Sequence, residues 1–402
     1  MSKTFGNAFS KNKTFALSLT VLVIAFFAVI LAGIAEKPPR YQHITGRLLD
    51  ERMRLIGQWV SENQREDGSF PYLYDPDKNE YSSKDYAIRQ ILAVQGFFAV
   101  GKTLRDESIL SAAARGEAYL MNDMYREDPR RGFAYIFDTY HKDIRLGAAA
   151  VAILMLREGK ANPAPLSREE RYLGEFILSM QRDNGGFQTF LQDTPTQRDE
   201  RFYSGEALAA LALLAHRERD PRYERALQKG LHYYRNILAA DFLPPYAPWH
   251  MMAYAIAYRD APKEEYAAYI FFLADTLIET MLTADEEARG DEIGRFYNPR
   301  RPEWGLPHSA STGIYTEGLT YAYEVAVLRG DPERMERYRE AIFSGTRSLL
   351  SVQWTRKTAR GILHPARVVG AFRRTTVRTD TRIDQLGHAA NALARVRHVM
   401  FE

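Results

Sequence analysis

The 402-residue chain contains no cysteine. That absence removes disulfide frameworks, lipoprotein attachment, thiolate metal sites and any thiol nucleophile. An excess of one charge is missing too: 54 Lys and Arg face 51 Asp and Glu, a formal net charge of +3 at pH 7. Nucleic-acid binding therefore has no global support, and an anion site must be local. There is no low-complexity tract, and with 46% hydrophobic and 12% aromatic residues the composition is that of a globular protein with a large core. Sustained alternation of apolar and polar residues is also absent, which predicts an all-α chain without extended strands.

Long hydrophobic runs are scarce, with one exception. Phe15 to Ala35 spans 21 residues without a charge, enough at about 1.5 Å per residue to cross a hydrocarbon core of about 30 Å. Lys3, Lys11 and Lys13 precede it, so the positive-inside rule predicts a cytoplasmic N-terminus and export of everything that follows. Gly33-Ile34-Ala35 offers a small-residue cleavage site, but the apolar region is longer than that of a usual signal peptide, and an uncleaved anchor is the favoured reading. The chain then divides into a cytoplasmic tail (1–14), a transmembrane anchor (15–35), a linker (36–45) that carries EKPPR, and a periplasmic or extracellular domain (46–402).

Helical periodicity in that domain predicts twelve helices, near 46–64, 84–102, 106–124, 141–157, 167–182, 203–217, 220–238, 248–258, 263–283, 310–329, 332–354 and 381–397. Connections after even-numbered helices are mostly short and polar; those after odd-numbered helices are mostly long, aromatic and charged. With antiparallel neighbours, the long connections all reach one end of the bundle. The even-numbered helices carry small apolar runs such as LGAAAVAIL and GEALAALALL, suited to crowding on every side, and are expected to form an inner ring.

One phrase occurs twice, as NQREDGSF at Asn63–Phe70 and MQRDNGGF at Met180–Phe187. Both copies end an odd-numbered helix, and in both an aromatic (Trp59, Phe176) precedes Gln (Gln64, Gln181), followed by Gly and Phe. A weaker third copy, Leu349–Gln353, lacks the Gly-x-Phe spacing. The structural reading is that Gln caps carbonyls at the helix end, Gly makes the turn and the aromatic fills the gap between hairpins.

The phrase resembles the QW repeat of terpenoid cyclases, with Phe in place of the final Trp. Related phrases mark α/α toroids: six-hairpin glycosidases, polysaccharide lyases, uronyl epimerases, prenyltransferases and lanthionine cyclases. The resemblance implies an α/α six-hairpin toroid of twelve helices and leaves the chemistry open. Absent cysteine removes the zinc and thioester members, and neither an Asp-x-Asp-Asp acid nor an Asp-Asp-x-x-Asp diphosphate motif is present, which leaves the glycan-processing members.

Six inner-helix N-termini are expected to converge on one funnel. Glu206, in RFYSGEALAALALL, and Glu317, in GIYTEGLTYAYEVA, are the candidate carboxylate pair, each entering an apolar helix where desolvation is expected to favour the acid form. Tyr203, His250 and Tyr315 are further catalytic candidates for proton abstraction, and Asp85, Arg89, Trp249, Asp384 and His388 candidate substrate contacts. From Arg356 to Arg382 there are eight Lys or Arg against one Asp, so Arg373, Arg374 and Arg382 are expected to bind the anionic groups of an acidic polysaccharide. Structural alternatives stand beside each: caps for the aspartates, ion pairs for the glutamates, core packing for His250 and His388, and a solvated or lipid-facing loop for the arginines. No histidine pair has the spacing of a helical metal site, and no metal or cofactor is expected. Glycoside hydrolysis is the leading reaction, with uronate lyase or C5-epimerase chemistry, or a non-catalytic glycan-binding subunit of an envelope complex, as alternatives.

Overall fold

The structure, a computed structural model, describes residues 43–160, 164–192, 200–283, 292–298, 300–302 and 306–402. The expected anchor at 15–35 lies outside them, and among the described residues no helix is long and apolar enough to cross a membrane. The domain from Ile44 to Glu402 is one compact unit. Among the described residues it contains twelve α-helices: α1 (Gly46–Asn63), α2 (Ala87–Leu104), α3 (Glu107–Met124), α4 (Leu146–Gly159), α5 (Arg168–Ser179), α6 (Glu200–Arg217), α7 (Pro221–Ala240), α8 (Ala247–Asp260), α9 (Glu264–Ile278), α10 (Ser309–Arg329), α11 (Pro332–Val352) and α12 (Ile383–Phe401).

The even-numbered helices form a closed inner ring, each packed on the next, with α12 returning to α2. Burial explains the assignment: in α4 every residue from Leu146 to Leu156 is buried, whereas outer α1 buries only the stripe Leu49, Met53, Ile56, Gly57, Trp59 and Val60. Asp106, Asp220 and Asp331 cap α3, α7 and α11 through their side chains, so the outer helices start where the sequence places their turns.

The expectation of no strands is corrected. Two three-stranded antiparallel sheets occupy the long connections: β2 (Glu80–Tyr81), β1 (Leu73–Asp75) and β6 (Thr381–Arg382) in that order, and β3 (Tyr125–Asp128), β4 (Phe133–Asp138) and β5 (Asp143–Ile144). The longest is β4, six residues, too short to write a legible alternation. These strands also delay the inner helices: α2 and α4 begin at Ala87 and Leu146, later than expected.

The repeated phrase is a staple between successive outer helices. Gln64 Nε2 donates to the Gly68 carbonyl (3.0 Å) and across to Ala112 in α3 (2.8 Å). Gln181 Nε2 repeats this with Gly185 (3.1 Å) and Ala226 in α7 (2.9 Å). The weak third copy is complete after all: Gln353 Nε2 reaches Gly370 (3.2 Å) and Arg52 in α1 (3.0 Å), and Gly370-Ala371-Phe372 supplies the Gly-x-Phe after a long insertion. Gln353 and Phe372 bridge as Gln181 and Phe187 do, and Met281 with Phe296 makes a fourth version without the glutamine. Gly68, Gly185, Gly294 and Gly370 all have φ between +87° and +96°.

At Gly370 a Cβ would run into the Leu55 carbonyl of α1, whereas Gly330, also at positive φ (63°), has nothing within 4 Å of its Cβ position. Gly330→Ala is expected to cost about 1–2 kcal/mol from its left-handed backbone alone, and Gly370→Ala several times more. Urea unfolding midpoints measure the difference, and equal losses would contradict the staple.

Candidate functional site

The N-terminal ends of the inner helices enclose a cavity of about 450 Å³. Eight of the residues singled out from sequence line it: Tyr203 and Glu206 from α6, Trp249 from α8, Tyr315 from α10, Arg89 from α2, and Arg382, Asp384 and His388 at and in the start of α12. Glu206 is 3% exposed and packs against Gly147 of α4, where any Cβ would collide with its Oε2. The absence of a side chain at 147 is what leaves room for the carboxylate.

Asp384 sits between two guanidinium groups. Arg382 holds it with Nε to Oδ1 at 2.6 Å and Nη2 to Oδ2 at 2.8 Å, and Arg89 Nε lies 3.3 Å from Oδ2. Burial pushes the carboxyl group up, but Arg382 and then Arg89 outweigh it and hold the pKa well below the ordinary carboxylate range. β6 places Arg382 by pairing with β1, and Ile383 N–H donates to the Tyr72 carbonyl at 2.9 Å. Arg89 in turn donates to the Tyr72 hydroxyl and lies over the Tyr86 ring at 4.7 Å. On the other side of the cavity wall, Arg145 lies 4.5 Å from the same ring, and the Tyr86 and Tyr203 hydroxyls are 3.4 Å apart.

Two histidines face the cavity. His308, the N-cap of α10, accepts the Ser311 N–H on Nδ1 (3.2 Å), so its neutral form carries the proton on Nε2. His388 has no hydrogen-bond partner on Nδ1 and sets its ring edge-on to Trp249 at 6.4 Å. Burial lowers both to about 4, with Asp384 opposing and Arg382, Arg89 and, for His388, His308 assisting. Both are neutral at pH 7.

The other candidates lie elsewhere. Glu317 is buried deeper in α10 and does not line the cavity, so it does not form a pair with Glu206 there; burial raises it to about 8, with Arg395 opposing and Glu158 adding. His250 is completely buried behind the wall, its Nδ1 2.9 Å from the Tyr269 hydroxyl and its ring boxed by Tyr234, Tyr246 and Tyr254; burial lowers it to about 3. The structure gives it a core role. Asp85 accepts from Tyr86 N–H (2.7 Å) and Gln90 Nε2 (2.9 Å) before α2, outside the cavity lining. Neither Arg373 nor Arg374 lines the cavity; the first is engaged at the end of α11, the second within its own loop. Arg373 Nη2 donates to Ser351 O (2.8 Å) and its guanidinium lies over Trp354, while Arg374 grips Asp380 at 2.6 Å and 2.9 Å.

Sequence reasoning missed Arg201 as a cavity residue, and with it Tyr297 and Asn298. α6 begins at Glu200, a turn earlier than its periodicity suggests, which puts Arg201 in the first turn beside Tyr203. Tyr297 and Asn298 come from an irregular connection that no periodicity announces. Among the described residues no group of three His, Asp or Glu is arranged to hold a metal ion.

No family model matches the sequence, and no curated protein does. Solved structures do. An unsaturated glucuronyl hydrolase specific for heparin superposes with a TM-score of 0.63 at 9% identity, over 89% of this chain and 98% of its own. A D-mannose isomerase gives 0.65 at 11% identity, over 88% and 98%. A GH76 alpha-mannanase from Bacteroides thetaiotaomicron gives 0.62 at 10% identity, over 89% and 98%.

The perturbed groups set a pH dependence of stability. His308 and His388 are depressed on folding, so their contribution is full above the unfolded value of about 6.5 and is lost as pH falls toward about 4. Glu317 is raised, so stability falls as pH climbs from the unfolded carboxylate range through about 8, by at most ~1.4 kcal/mol per pH unit for one proton. Chemical denaturation between pH 6 and 9 is expected to show this alkaline loss in the wild type and its removal in Glu317→Gln. An unchanged slope in the variant would show that Glu317 is ionised in the fold. From ring closure, helix order and these full-length superpositions, the domain is a six-hairpin α/α toroid.

Proposed function

We propose that the protein is a carbohydrate-active enzyme that hydrolyses a glycosidic bond beside an anionic sugar unit held in the cavity. The observation that carries this reading is the convergence of two carboxylates, Glu206 from α6 and Asp384 from α12, on one cavity walled by Tyr203, Trp249 and Tyr315. Glycoside hydrolysis needs a carboxylic acid to protonate the leaving oxygen and an ionised carboxylate on the other side of the sugar. Asp384, kept ionised by Arg382 and Arg89, suits the second role, and Glu206, nearly fully buried, takes the first. Asp384 thus replaces Glu317 in the pair expected from sequence.

The acidic substrate is supported by charge. Among the described residues, three guanidinium groups, Arg89, Arg201 and Arg382, face the cavity against two carboxylates. Arg201 is exposed and makes no ion pair among the described residues, which leaves it available to a substrate carboxylate, a role its fork of donors fits. A pocket of this size takes a chain end or a short oligosaccharide. The uncharged run at 15–35 supports a tethered enzyme with its toroid outside the cytoplasm, in reach of an envelope polysaccharide and of envelope-complex partners.

A second reading rests on the two neutral histidines. With His308 as proton donor and His388 as acceptor, the same cavity supports proton transfer at a sugar carbon, as in elimination, isomerisation or epimerisation. Products separate the two: new reducing ends without unsaturation follow from hydrolysis, and unsaturated or stereochemically altered sugars from carbon chemistry.

With an acidic oligosaccharide, Glu206→Gln is expected to retain binding and lose turnover by at least about 10²-fold. Arg201→Ala is expected to weaken binding of acidic but not neutral oligosaccharides, with a reduced dependence on salt. Full activity in Glu206→Gln would end the hydrolytic assignment, and binding without turnover in the wild type would leave a glycan-binding subunit.

A further inference from the structure

The cavity is not polar all round. In the inner ring α8 stands as far from α2 in one direction as in the other, so the two face each other across the axis. Arg89 of α2 is tied to Asp384, which Arg382 also holds, and the charges of all three act on His308 at the head of α10. Opposite this charged half the lining changes character. Pro244 and Pro245 in the turn before α8, Pro248 and Trp249 in its first turn, Ile314 of α10 and Phe296 make up the wall there. Among the described residues no Asp, Glu, Lys or Arg of α8 or α10 lines the cavity.

Close packing makes that wall continuous. A Cβ on Gly318 of α10 would meet Pro248 Cα at 2.6 Å, and one on Gly205 of α6 would meet Trp249 Cβ at 2.6 Å. Glu206 follows Gly205, so the carboxylic acid stands beside the apolar surface. Phe296 sets its ring edge-on to Tyr315 at 5.2 Å, and Leu306, 74% exposed, extends the apolar lining to the mouth. Polar atoms on this flank are engaged locally: Thr280 Oγ1 donates to Leu277 O (2.8 Å), Ser311 Oγ donates to His308 O (2.8 Å), and Asn298 Oδ1 accepts from Arg300 N–H (2.9 Å). Tyr297 and Tyr315 add uncharged phenols, and Arg201 is exposed in the first turn of α6, at the mouth.

A sugar ring placed against this wall would lose the water on its hydroxyl groups and find little in return, because proline has neither a polar side-chain atom nor a backbone N–H. Trp249 adds a single ring N–H. An apolar group has no such loss and gains by leaving water. We propose that the substrate is a glycoside of an apolar alcohol, aryl or lipid, with its sugar toward α2 and α12 and its aglycone against α8 and α10. The inference rests on the hydrolytic reading for the reaction and adds the nature of the leaving group. Water adds to the anomeric carbon, and the bond from that carbon to the aglycone oxygen breaks with its electron pair on the oxygen. Glu206 protonates that oxygen, and the proton released by the water restores Glu206. The products are a free sugar and an apolar alcohol or phenol.

Calorimetric titration of the full-length protein in lipid nanodiscs, with empty nanodiscs as the blank, tests the wall by binding alone. The ligands are methyl, butyl, hexyl and phenyl glucuronides in both anomers, the matching glucosides, and a glucuronosyl disaccharide. Each buried methylene is worth roughly a factor of four, so butyl compounds are expected to bind at least about tenfold more tightly than methyl ones, and the disaccharide no more tightly than methyl. Leu306→Ser is expected to shrink that gain, which partition into lipid would leave unchanged. A gain that continues to hexyl identifies a lipid aglycone, and phenyl binding above hexyl an aryl one. Equal affinities for methyl and butyl, tighter binding of the disaccharide than of butyl, or binding of no compound would overturn the proposal. The same alkyl gain with no preference for glucuronides supports the apolar site and removes the acidic substrate. The alkyl gain without release of the alcohol supports the site and ends the hydrolytic reading instead.

Discussion

The ring depends on one contact, made several times: a glutamine at the end of an outer helix that satisfies two backbone carbonyls at once, one in its own turn and one in the next outer helix. Gln64 joins α1 to α3, Gln181 joins α5 to α7, and Gln353 joins α11 back to α1. Each is accompanied by a glycine at positive φ whose missing side chain lets the turn lie against the neighbour's backbone. Inner helices buried on all sides have no polar face with which to set their order. The staples at the rim, and the pairing of β6 with β1, set it instead.

That division also sets the site. The rim fixes the starts of the inner helices, and those starts carry the cavity residues. Asp384 is ionised because β6 delivers Arg382 beside it and α2 delivers Arg89. Glu206 has room because α4 opposes it with glycine. A polar cluster walled by aromatics is thereby held by backbone geometry rather than by flexible loops, an arrangement that keeps donors aimed without reorganisation.

The twelve helices, their alternation between inner and outer ring, and the first two staples were legible in the sequence, because 3.6-residue periodicity, small-residue runs and a fixed eight-residue phrase are local signals. The short strands were not, since two or three residues carry no period, and the third staple was hidden by the insertion between Gln353 and Gly370. Tyr203, Glu206, Arg89, Trp249, Tyr315, Arg382, Asp384 and His388 could be placed from helix starts. Glu317 could not be distinguished from them, because depth along the axis separates it from the cavity and sequence reports only which helix it is on. Arg373 and Arg374 read as free charge; their partners, Ser351 at the end of α11 and Asp380 in the loop, are a matter of how the loop folds back.

The closure between β1 and β6, and between Arg52 and Gln353, spans about three hundred residues of chain. Contacts of that sequence separation form late, because the loop they close must already be ordered or its entropy lost. Arg89 emerges from the ribosome with the first hairpin, and Asp384 with the last helix. A chain stopped anywhere before Thr381 has five hairpins and most of the core but neither Arg382 nor Asp384, so the ionised carboxylate of the cavity exists only in a finished ring. The order of synthesis thus makes the site the last part of the domain to form, and keeps a nascent chain from holding ligand there.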